Sequence, residues 1–268
     1  MMEHSMALVL FTFLSQIAIG AFASLFFLDA YREKVSKRSV FISLVAILIV
    51  SAAAVIISLF HLGHPFAAYR AILNFGDSWL TREIVFFPAF MLLVFLYILL
   101  AKTQKQKQTI GWITNIIGAV TIFSTGMIYT IPSVPAWNNG TTVAAFFITA
   151  LLLGPIFIQL LLSILEKKLV NLNLYTTIIA FLAILLNVIN LSILKGGLPA
   201  AVETAGLIVV SPLFWVKIIT LLAAFFLAGY FLLRKKTISF STVTVIFACF
   251  IVSEFLGRML FYSSGVHL

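Results

Sequence analysis

The stretch HLGHPFAAYRAILNFGDSWLTREI, residues 61 to 84, gathers two histidines, two arginines and two carboxylates between long apolar runs. Such groups must be wet or paired, and their chemistry is that of proton exchange or ligation. An imidazole titrates near neutral pH, and His61 and His64, three apart, could share one helical face. Three uses fit them: capping a helix end at an interface, holding one haem with a partner residue, or handling protons. Glu83 follows Asp77, Ser78 and Thr81, any of which could cap a helix beginning there. A carboxylate in a first turn is stabilised by the helix dipole. At the edge of hydrocarbon, however, an ionisable group is costly and usually functional, and that reading is favoured for Glu83.

Three further groups stand out. Glu254 and Arg258 are four apart on an apolar run, the spacing of an internal ion pair about one turn from a helix end. Lys217, near the start of another run, is placed to snorkel to the interface. The segment YTIPSVPAWNNG, residues 129 to 140, puts Tyr129 and Trp137 at the depth of an aromatic belt. Pro132 and Pro135 stiffen it in extended form, as suits a docking surface or the lip of a pocket.

The elements that position these groups are legible in composition. The 268 residues are 63% hydrophobic and 9% charged, with a mean hydropathy of +1.19, where a soluble domain carries about a quarter charged residues. Runs such as VFISLVAILIVSAAAVIISLF are about the 20 residues needed to cross a bilayer core. Strand-like alternation is missing. The fold class is therefore all-α, a polytopic membrane protein with eight transmembrane helices in a single domain over residues 1–268. The spans predicted are 7 to 30, 39 to 61, 83 to 101, 109 to 130, 141 to 165, 174 to 194, 213 to 233 and 239 to 262.

Twelve of the 17 basic residues fall in the first, third, fifth and seventh connections. The positive-inside rule places those connections in the cytoplasm and both termini outside. All four histidines, His4, His61, His64 and His267, then lie toward the outer face. A transmembrane haem relay needs axial ligands near both faces, so no such relay is expected.

Other classes are excluded. The lone Cys249 allows no internal disulfide and cannot hold an iron–sulfur cluster, which needs about four thiolates. The first apolar run lacks a basic leader and cleavage site and reads as a retained helix. The net charge of +9 sits in short loops rather than a basic patch, so nucleic acid is not a partner; membrane lipid is.

Taken together, HLGHP, SWLTREI, SVPAWN and EFLGRMLFY, in this order along the whole chain, resemble the membrane anchor subunits of the dimethyl sulfoxide reductase family. Within these motifs His64, Ala67 and Thr81 depart from the family's pattern. The resemblance implies a haem-free anchor in a bacterial cytoplasmic membrane that oxidises menaquinol. It also implies two partners: a four-cluster, ferredoxin-like iron–sulfur subunit and a molybdopterin catalytic subunit that carries the reductase active site. It ties His61 and Glu83 to quinol oxidation, with His64, Arg70, Arg82, Tyr129, Trp137, Glu254 and Arg258 as candidate walls of the pocket. Quinol oxidation releases two electrons and two protons, so proton acceptors must lie within about 3 Å of the hydroxyls, directly or through a water. His61 and Glu83, at facing ends of consecutive helices, suit that need.

Two rival readings differ in kind. A transporter would place charge at mid-depth and often carries inverted repeats; an assembly protein would only tether. Bound quinone separates both from the anchor reading.

Overall fold

The computed structural model describes residues 2–32, 35–59, 75–166, 172–234 and 239–268, with the backbone alone at residues 2–5 and 32. The described residues form nine α-helices: α1 Met2–Phe27, α2 Lys37–Leu59, α3 Trp79–Leu100, α4 Gln104–Ile128, α5 Gly140–Glu166, α6 Asn173–Lys195, α7 Pro199–Val210, α8 Pro212–Leu233 and α9 Phe240–Ser264. A π-helical turn, Leu28–Arg32, prolongs α1. Eight of the nine are long and apolar enough to cross a membrane, and they match the eight predicted spans within a few residues.

The ninth was not foreseen. The connection predicted over 195 to 212 contains α7, whose Pro199 occupies a first-turn position where the missing N–H costs nothing. At 12 residues this helix reaches about 18 Å at 1.5 Å per residue, too short to span.

Helices α1 to α4 form one bundle, and α5, α6, α8 and α9 a second, with α7 packed against α6, α8 and α9. The seam is α1 against α5. A Cβ placed on Gly20 would lie 2.1 Å from the Ala150 carbonyl oxygen, and one on Gly154 would lie 2.1 Å from the Gly20 carbonyl carbon. Ala150 and Gly154 thus form a small-xxx-small face that lets two backbones touch, the usual device where lipid removes any hydrophobic drive between helices. Both apolar clusters draw on this pair: Phe22 and Phe146 belong to the first, Phe13 and Leu153 to the second.

At the end opposite the termini, short connections are pinned by polar contacts. Thr103 caps α4 with a reciprocal Gln106 contact. Asp29 receives the Tyr97 hydroxyl at 2.7 Å and an ion pair from Lys107. Lys107, read from sequence only as a marker of the cytoplasmic face, is thus also a structural partner.

Candidate functional site

Glu83 sits about one turn into α3, because the helix begins at Trp79, with the Ser78 hydroxyl capping the Thr81 N–H at 3.3 Å. The expected span began at residue 83; four more helical residues carry Glu83 inward, and its side chain is 6% exposed. Its carboxylate accepts a hydrogen bond from the Thr125 hydroxyl of α4. Thr125 belongs to a stripe of small and polar residues on α4, Gly111, Thr114, Gly118, Thr121 and Thr125, buried at helical spacing. That stripe was visible in the sequence as a 3–4 repeat.

Beyond Thr125 lies an aromatic cluster. Tyr129, which closes α4, accepts a hydrogen bond from the Tyr262 hydroxyl at 2.7 Å. Its ring lies 5.9 Å from Trp137, 5.7 Å from Phe146 and 5.4 Å from Phe261. Burial above all, then the neighbouring Tyr262 and Glu83, holds the Tyr129 phenol well above its ordinary range, so it stays a neutral hydroxyl. Trp137 donates its indole N–H to the Phe261 carbonyl at 3.0 Å and stacks on that ring at 5.0 Å. The two aromatics expected at an interface thus close the end of the first bundle onto α9.

Arg258 stands behind this cluster, its guanidinium 3.6 Å from the centre of the Phe146 ring. It donates to Gln16 at 2.8 Å and to the Thr149 hydroxyl at 3.3 Å. Thr149 in turn donates to Glu254 at 2.6 Å. The expected Glu254–Arg258 pair is therefore bridged by Thr149 from α5 rather than direct. Because α9 runs on to Ser264, Glu254 lies about 15 Å inside that helix end, deeper than the single turn expected.

Lys217 also departs from expectation. Instead of snorkelling, its ammonium bonds Asn187 at 2.5 Å and packs over Gly257. It lines a cavity of about 120 Å³ in the second bundle together with Glu254, Arg258, Asn187, Asn190 and Trp137. Glu83 is not among the residues lining that cavity. The candidate wall thus divides: Glu83 with Thr125 on one side of the Tyr129–Phe146 stack, Glu254 with Lys217 on the other, and Arg258 between.

Arg82 faces neither part. It ties the start of α3 to the preceding turn, donating to the Phe75 carbonyl at 3.2 Å and lying 4.0 Å over the Trp79 ring. His61, His64 and Arg70 lie outside the described residues. Thr125, Tyr262, Gln16, Thr149, Asn187 and Asn190 were not singled out from sequence. Besides the α4 stripe that holds Thr125, Tyr262 had a local signal, standing eight after Glu254 and four after Arg258 on one helical face.

Eight helices long and apolar enough to span a bilayer, with buried polar side chains among them, define a multi-pass membrane protein. Comparison with known proteins gives the family. The sequence model of the DMSO reductase anchor subunit (DmsC) matches residues 1–264, and the chain belongs to that family. It is 28% identical over 275 residues to the C chain of anaerobic dimethyl sulfoxide reductase from Haemophilus influenzae, covering 99% of this sequence and 95% of the relative. It is 32% identical over 194 residues to the YnfH chain of anaerobic dimethyl sulfoxide reductase from Escherichia coli, covering 68% and 64%. The Escherichia coli C chain is 27% identical over 168 residues, 60% and 58% of the two sequences. The family identifies the protein as a membrane anchor of a dimethyl sulfoxide reductase-like complex.

Proposed function

We propose that this chain oxidises menaquinol beside Glu83 and passes the electrons to an iron–sulfur subunit seated on the end that carries the termini, which faces out of the cytoplasm. That subunit feeds a molybdopterin catalytic subunit, and all three work in a bacterial cytoplasmic membrane. The observation that carries the reading is the setting of Glu83: a carboxylate buried near the start of α3, held by the Thr125 hydroxyl and bordered by the phenols of Tyr129 and Tyr262. A dry carboxylate is a strong acceptor for a quinol proton, and the Thr125 hydroxyl holds it in one orientation. His61 supplies the second acceptor. The chain's own thiol content, Cys249 alone, offers no cluster, so electrons leave through the partner.

Transport is the less favoured use. Glu254 and Lys217 do bring charge to depth, but the family match covers nearly the whole chain and assigns an anchor.

The test is Glu83→Gln in the assembled complex, which keeps size and hydrogen bonding and removes the base. Quinol-driven turnover should fall about 10²-fold or more, as for loss of a general base. Reduction of the same substrate by an artificial dye feeding the partner subunits should persist. Normal quinol turnover in an assembled Glu83→Gln complex would sink the assignment.

A further inference from the structure

The cavity of the second bundle has charges that do not balance. Lys217 and Arg258 contribute two cations and Glu254 one carboxylate, all lining the same space. Arg258 cannot shed its proton. Lys217 makes no direct ion pair among the described residues; its partner is the neutral Asn187 oxygen. Glu254 is held by Thr149, not by either cation.

The hydrogen-bond inventory tilts the same way. Arg258, packed on the Phe146 ring, uses one of its terminal nitrogens for its bonds to Gln16 and Thr149, and the rest of the guanidinium fork has no hydrogen-bond partner among the described residues. Lys217 has three N–H donors and spends one. Asn190 is joined to the Thr141 hydroxyl at 2.6 Å. Behind Arg258 the buried Gln16 amide nitrogen is also unpaired. Facing these donors, one Glu254 oxygen is free among the described residues.

Two basic side chains face one acidic side chain inside a helical bundle, and an anion is the ligand that would let Lys217 keep its proton there, since an uncompensated charge in a low-dielectric interior is costly. At about 120 Å³ it has room for an ion with a few waters. Helix α7 contributes Thr204 and Ile208 to its lining.

We propose that this cavity binds a small monovalent anion, held between the Lys217 ammonium and the Arg258 guanidinium. Glu83 does not line this cavity, and anion binding here does not depend on quinol chemistry there. The anion neutralises the excess charge and draws α5, α6, α8 and α9 onto one centre.

The full chain, purified in detergent, is unfolded thermally by tryptophan fluorescence while chloride replaces gluconate at fixed sodium. Fixed ionic strength keeps screening constant, and gluconate serves as the bulkier reference anion. The wild-type midpoint should rise and saturate with chloride, as for a ligand that binds only the folded state. Lys217→Gln should abolish the chloride dependence and Lys217→Arg should keep it. Glu254→Gln leaves two cations unopposed and should lower the half-saturating chloride by about tenfold or more, equivalent to about 1.4 kcal/mol. A wild-type midpoint indifferent to chloride overturns the proposal. So does a chloride response undiminished in Lys217→Gln or unsharpened in Glu254→Gln.

Discussion

Asp29 and Glu254 are carboxylates carried at opposite depths of the same molecule, and they are treated in opposite ways. Each Asp29 oxygen has its own donor, the Tyr97 hydroxyl on one and the Lys107 ammonium on the other. The three residues come from the π-helical turn after α1, the last turn of α3 and the first turn of α4, so one closed knot fixes three helices beside a short connection. Glu254 has one donor, Thr149, and two cations that line the same cavity without touching it. A closed knot holds structure and has nothing left to bind with; an open one keeps capacity for a ligand. Glu83 stands with the second kind, held by a single hydroxyl beside two phenols.

Substitutions in the seam, the knot and the two open sites test that contrast. The largest effect belongs to the seam that keeps both regions in one body. Gly20→Val would drive its Cβ into the Ala150 carbonyl, and no rotamer relieves a backbone clash. Folded protein should not accumulate in membranes, read by gel filtration of a fluorescent fusion. Next comes the knot itself. Lys107→Met should destabilise by about 3 kcal/mol, the lower range for breaking a buried pair, and Asp29→Asn in the same chain should recover most of it. Lys217→Gln, whose cation makes no direct ion pair, should cost less than about 1 kcal/mol in gluconate, near the worth of one hydrogen bond. Equal losses at Lys107 and Lys217 in thermal unfolding would erase the distinction between closed and open sites. The smallest effect is Tyr262→Phe, which removes one phenol bond to Tyr129. About 1 kcal/mol is expected, with assembly and quinol-driven turnover little changed. A collapse of turnover there would make Tyr262 part of the proton chemistry rather than its border.

The eight spans were legible because each is a long apolar run ended by charge, which is a local property. Helix α7 escaped notice because its PAAVETAGLIVV run is too short to register as a span and lies in a connection otherwise read as loop. Of the site, Glu83, Glu254 and Arg258 announced themselves as charges in apolar surroundings. Their partners did not, because a buried threonine or glutamine looks like any other small polar residue until another helix arrives. Thr149 becomes the bridge between Glu254 and Arg258 only when α5 packs on α9. Lys217 misled for a related reason: the rule for long basic chains near a helix end assumes lipid beside them, and here the neighbour is Asn187.

The contact of Gly20 with Gly154 also sets a clock on synthesis. Roughly 130 residues separate the two glycines, so at about 5 to 20 residues per second α5 follows α1 into the membrane by about 7 to 27 s. Over that interval α1 holds Thr12, Ser15 and Gln16, all buried in the finished molecule, with no α5 to cover them. The hydroxyls can turn back on their own helix, as Thr12 does toward the Leu8 carbonyl, but the Gln16 amide cannot be satisfied so cheaply. The partner of its oxygen, Arg258, lies on α9, 242 residues further on, so that part of α1 is paired only when the last helix of the second bundle has been made.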